Sequence, residues 1–212
     1  LINHGMIKPF GLNLMRVGIS SILLWVLFFF KPNRQVVRKE HFARFFFCAL
    51  TGIAVNQLLF IKGLSLTFSI HASLLMLTTP ILITCFAAFV LKEKLSRYNV
   101  IGLLLGITGA TVLIAARENT GNGSNILLGD IFIIINAISY TIYFILVKPL
   151  MKEYEPVMVI RTIFSIGFFL MLPFCFTEFR EIPWQLYTLN AYFLLFMIIF
   201  CGTFLAYIFN VY

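Results

Sequence analysis

Apolar residues in this chain gather into seven runs, near residues 10–30, 42–62, 69–91, 98–116, 126–148, 157–177 and 191–212. Between them lie short stretches that carry charge, Pro, Gly or Asn, such as KPNRQVVRKEH after the first run and RENTGNGSN at 117–125. A helix needs about 20 predominantly apolar residues to cross a hydrocarbon core of roughly 30 Å. Each run therefore predicts a membrane-spanning helix, and the fold class is all-α, a polytopic membrane helix bundle.

Composition agrees: 61% of the 212 residues are hydrophobic, 11% are charged, and the mean hydropathy is +0.99. The net charge of +8 does not form a nucleic-acid surface, because the basic residues sit in the connections rather than along one polar face. Their distribution sets an orientation instead. Lys31, Arg34, Arg38, Lys39, Arg44, Lys92, Lys94, Arg97, Lys148 and Lys152 fall on one side, and Lys8, Lys62, Arg117 and Arg180 on the other. By the positive-inside rule the ten-residue side is expected to be cytoplasmic. The turn LKEKLSR is then held at the inner surface by its cations, with Glu93 forming a local ion pair to Lys94 or Arg97 that contributes little in water.

Cys48, Cys85, Cys175 and Cys201 all lie inside apolar runs with no C-x-x-C spacing, which predicts small core residues rather than disulfides or a zinc site. No metal motif, nucleophile–base pair or phosphate-binding glycine loop is present, so the sequence predicts neither a cofactor nor an enzyme.

The chain also repeats itself weakly. LNLMRVGISSILL and MVIRTIFSIGFFL share R-x-x-x-S at Arg16/Ser20 and Arg161/Ser165, and the helices that follow align Gly52 with Gly202 about 150 residues apart. The loop charges make the first copy of that helix run inward and the second outward. Inverted repeats of this kind are a device of transporters, in which mirror-related units give inward-open and outward-open states around a midplane site.

The stretch GLSLTFSIHASLLMLTTPILITCFAAFVLKEKLSRYNVIGLLLGITGATVL resembles the EamA-type transporters of the drug/metabolite transporter superfamily. Ala72-Ser73-Leu74-Leu75, Pro80, Lys92-Glu93-Lys94-Leu95 and the Gly102/Gly106/Gly109 series carry the likeness. GDIFIIINAISYTIYFILVKPL resembles the opening helix of the family's second repeat. The resemblance implies two inverted units of five helices, here 1–120 and 121–212, with the first, ninth and tenth helices outside this chain. It further implies a central cavity, a bacterial cytoplasmic (inner) membrane location, and export of a small organic solute such as an amino acid, metabolite or amphipathic drug. Expected partners are the lipid bilayer, that solute and, as an option, a second copy of the chain. A seven-helix receptor or a membrane subunit without flux of its own stays open as an alternative.

The candidate residues each carry two readings. Asn136, Tyr140 and Tyr143 stand at i, i+4 and i+7, a polar stripe costly against lipid and so expected to face the interior. It lines a substrate cavity or bonds neighbouring helices, and Asn56-Gln57 raises the same pair of readings. His71 sits near an outward helix end, at the interface or in the pore. Arg16 and Arg161 either snorkel to headgroups or hold a substrate carboxylate. Asp130 is expected to complement a helix N-terminus, Pro80 to kink its helix, and Gly102, Gly106 and Ala110 to give a small face for close helix packing. No Asp or Glu falls near the bilayer centre of a predicted helix, so proton coupling would have to use His71, Glu93, Asp130 or a segment outside the chain.

Overall fold

A computed structural model describes residues 8–30, 35–90, 97–115 and 125–209, and all regular structure among them is helical. The helices are α1 (Pro9–Phe30), α2 (Lys39–Leu66), α3 (Ser69–Met76), α4 (Thr78–Val90), α5 (Arg97–Ala115), α6 (Ile126–Glu153), α7 (Pro156–Arg180) and α8 (Leu189–Phe209). With α3 and α4 taken together from His71 to Val90, six of these spans are long and apolar enough to cross a membrane. Helix α5 fills the position of the remaining predicted run. Residues 91–96, which include Glu93, and residues 116–124 lie outside the described residues.

The chain forms two compact units, Leu1–Ala54 with Val147–Tyr212, and Val55–Leu146. In the first, α1 and α7 pack antiparallel. Gly11 meets Glu178 at one end, Gly18 meets Phe168 in the middle, and the Ser21 and Ser165 hydroxyls are 3.3 Å apart further along. The free N–H groups at the start of α1 find a partner across this contact, because Phe10 and Gly11 donate to Glu178 Oε2 at 2.8 and 3.3 Å. A carboxylate there satisfies orphan donors and the positive end of the helix together. Lys8 hydrogen-bonds Glu181 nearby, and that contact raises the lysine pKa. Helix α7 opens with Pro156, whose fixed φ suits a first helical position. The N–H of the preceding Glu155 donates to Gln35 Oε1 at 3.0 Å. Leu12, Met15, Ile182, Tyr187, Ala191, Leu195 and Ile199 close a core at the α1 start.

The second unit brings two helix backbones together. A Cβ on Gly129 of α6 would lie 2.7 Å from the Thr67 backbone nitrogen, and one on Gly63 of α2 would lie 3.0 Å from the Gly129 carbonyl oxygen. Only the absence of side chains permits this backbone approach. Between α3 and α4 the helix breaks at Leu77, three residues before Pro80. The Thr78 hydroxyl donates to the Leu75 carbonyl at 2.6 Å, re-satisfying the broken turn, whereas the buried Thr79 hydroxyl has no partner among the described residues.

The cysteine expectation needs correction. Cys48 and Cys175 are buried, but Cys85 and Cys201 are exposed. A thiol is apolar enough for an outer face that meets lipid, so an apolar run does not by itself place a cysteine in the protein core.

Candidate functional site

In the second unit the structure brings together most of the polar residues singled out in the sequence. Asn136 is 1% exposed and its Nδ2 donates to the Asn56 backbone carbonyl at 2.6 Å. Its Oδ1 is buried without a hydrogen-bond partner among the described residues. One turn further along, the Tyr140 and Tyr143 rings stand 5.5 Å apart, Tyr143 buried and Tyr140 half-buried. The i, i+4, i+7 stripe thus faces protein, together with Ile133, Ala137 and Val147. Gln57 is half-buried beside Asn56. An amide that spends its donor on a backbone carbonyl and keeps its oxygen unmatched can still accept one hydrogen bond from a solute.

Asp130 lies near the start of α6, and its side chain has two partners there. It is the fifth residue of α6, and Asn125 caps that helix by accepting the Leu128 N–H at 3.3 Å. The Asp130 carboxylate accepts from Thr67 Oγ1 at 2.5 Å and lies 3.3 Å from His71 Nδ1. Two residues noticed separately in the sequence therefore form one cluster around the carboxylate, joined by a threonine that carried no sequence signal. Asp130→Ala removes the acceptor for both, and is expected to lower stability by about 1.5–3 kcal/mol, the range for hydrogen bonds to a charged group. Thermal unfolding of the purified variant in detergent measures this.

The first unit holds the two arginines. Arg16 Nε donates to Thr203 Oγ1 at 3.0 Å, and Thr203 belongs to a π-helical segment, Phe200–Leu205, inside α8. Helix α2 carries a second π-helical segment, Leu50–Val55. Gly52 and Gly202 are the third residue of each, so the glycine match in the sequence marks the same backbone irregularity twice. In both, a threonine hydroxyl bonds back to the loosened helix: Thr51 to the Phe47 carbonyl at 2.7 Å and Thr203 to the Ile198 carbonyl at 3.2 Å.

Arg161 is 8% exposed. Its guanidinium carbon lies 4.3 Å from the Trp25 ring centroid and 3.9 Å from that of Phe28. The side chain lines a cavity of about 560 Å³ with the ends of α1 and α8. Neither Trp25 nor Phe28 stood out in the sequence, since single aromatics in an apolar run give no periodic signal.

The Gly102/Gly106 face behaves otherwise. A Cβ placed on Gly102, Gly106 or Gly109 would meet nothing within 4 Å, so the close packing expected of it is not made by the described residues.

Against known proteins, the EamA-like transporter family model matches residues 4–115. The chain belongs to that family: it is a multi-pass membrane protein of the EamA transporter class. It is similar to two uncharacterized transporters of Bacillus subtilis (strain 168). YetK is 24% identical over 75% of this chain and 48% of its own length. YoaV is 25% identical over 87% of this chain and 63% of its own length. The chain thus spans about half to two thirds of these relatives. One solved crystal structure shares the fold with a TM-score of 0.61 at 19% identity, covering 78% of this chain and 57% of the other.

Proposed function

We propose that the whole protein is a secondary transporter that exports a small organic solute across a bacterial cytoplasmic membrane by alternating access. The observation that carries this reading is the pair of π-helical segments at Leu50–Val55 and Phe200–Leu205. A π segment loosens the backbone ladder and leaves carbonyl groups short of donors. At membrane depth that is tolerated only where protein or a wet cavity supplies partners, and such segments concentrate at functional sites. Two of them about 150 residues apart, each on the helix after an R-x-x-x-S segment, are what an inverted repeat built around a solute path would contain. The antiparallel pairing of α1 with α7 supports the same reading.

The full-length protein in proteoliposomes is the test. Loaded with a mixture of amino acids and amphipathic metabolites, vesicles are expected to lose one class of solute faster than protein-free vesicles. Equal loss of every solute overturns the proposal. Membrane orientation has its own test. A single cysteine at Val36, which is 81% exposed, should resist an impermeant thiol reagent on intact cells, while one at Asn122 should react. Labelling at Val36 but not at Asn122 reverses the orientation.

A further inference from the structure

Among the described residues Arg161 makes no ion pair. Burying a guanidinium is expensive unless it is paired and hydrogen-bonded, yet Nε and one terminal nitrogen of Arg161 are buried with no hydrogen-bond partner among the described residues. Its repeat-related counterpart shows what is missing. Arg16 bonds the hydroxyl of Thr203, the fourth residue of its π segment, whereas the fourth residue of the other π segment is Ile53, which has no polar atom to offer. Nor does Arg161 snorkel, because a snorkelling side chain leaves its charged head in the headgroup layer and this one is 8% exposed. Trp25 and Phe28 stabilise the cation through their rings. Ring contacts of that kind leave N–H groups unused. Those are the donors with which a planar guanidinium grips a carboxylate in two parallel hydrogen bonds.

We infer that the cavity beside Arg161 is a binding site for an amphipathic carboxylate, with Arg161 as its anion-holding residue and the aromatic and aliphatic wall as the seat for its apolar body. The wall is formed by Leu27, Phe28, Met158 and Phe204, and among the described residues Glu155 is the other charged group lining the cavity. The cavity, about 560 Å³, is the size of a small-molecule site. This inference rests on the transport reading above and names the solute class for it.

Trp25 is a built-in reporter, since anything that draws the guanidinium changes the environment of that indole. The experiment uses the full-length protein with every tryptophan except Trp25 replaced by phenylalanine, in phosphatidylcholine nanodiscs. The probes are 3-phenylpropionate and its neutral amide. The acid is expected to give a saturable change in Trp25 emission at a concentration roughly tenfold or more below that needed for the amide, as a charge-assisted pair requires. Arg161→Gln should abolish the difference and Arg161→Lys restore part of it. Equal response to acid and amide, or no response to either, overturns the inference without any variant. If adding phosphatidylglycerol to the nanodiscs alone reproduces the emission change and blocks the probe, the anion is a lipid headgroup and the inference also fails. Flux separates the two proposals. Solute export that Arg161→Gln leaves unchanged removes the site and keeps the transporter. Acid-selective binding without flux of any solute removes the transporter and keeps the site.

Discussion

Gly167→Ala is expected to lower the stability of the purified protein by about 1–3 kcal/mol, the cost of forcing extra volume into a packed contact. The direction is not obvious from helix chemistry, because alanine in a helix interior is favoured over glycine by roughly 0.5–1 kcal/mol. Packing reverses it. A Cβ at Gly167 would stand 2.6 Å from both Cβ and Cγ2 of Ile53, which is itself 1% exposed and lies within the π-helical segment of α2. Those atoms are the branched root of a β-branched side chain, so no rotamer change moves both away. Either the helices separate or the π segment shifts. Gly18→Ala is the internal comparison, since its nearest neighbour is the far edge of the Phe168 ring at 2.9 Å, which can swing aside. Gly106→Ala is a second comparison with nothing within 4 Å, and should match or exceed the parent. Thermal midpoints in one detergent rank the three. A Gly167 variant that melts with the parent would mean that Ile53 does not seat on α7, and a Gly106 variant that falls as far would mean that the glycine face of α5 is packed in the whole protein.

The contrast between Gly167 and Gly106 also shows what a sequence can reveal of such a chain. Helix positions were legible because twenty apolar residues in a row have only one inexpensive conformation in lipid, and the runs agree with the helices to within a few residues at most ends. Small-residue spacing was a poorer guide. The regular Gly102/Gly106 series has open space around it, whereas the tight contacts fall at Gly63, Gly129 and Gly167, which follow no four-residue series. Close approach depends on where two helices cross, and a crossing point is a property of both partners. The same limit hid the Thr67–Asp130–His71 cluster, whose members are separated by most of two helices. It also hid the cation–ring contacts of Arg161, a residue whose two readings the sequence left open. The π-helical segments lay between these cases, for the Gly52/Gly202 match marked their place but not their geometry.

Asn136→Leu is expected to reduce flux of a transported solute by roughly tenfold or more, the worth of one lost hydrogen bond in a water-poor site, while changing stability by no more than about 1 kcal/mol. The two effects separate because the amide has two ends. Its Nδ2 serves the Asn56 carbonyl inside the unit, at 2.6 Å. A carbonyl in a helix has a second lone pair and its own intrahelical donor, so losing this contact is tolerable. Its Oδ1 is buried with no partner among the described residues, and removing an unsatisfied acceptor returns part of what the lost donor bond contributed. Leucine has nearly the same volume and leaves no large cavity. What leucine cannot do is accept a hydrogen bond from a solute. Tyr140→Leu should act in the same direction by removing the half-buried ring that stands against Tyr143. Thr108→Leu provides the contrast, because that exposed hydroxyl bonds back to the Leu104 and Leu105 carbonyls of its own helix at 2.9 and 3.0 Å. Proteoliposome efflux measured beside detergent melting curves distinguishes the outcomes. Reduced flux at Asn136 and Tyr140 with near-parental melting, and little change at Thr108, places the solute path along this stripe. Lowered melting with unaltered flux per folded molecule would make Asn136 a helix-packing residue and move the path elsewhere.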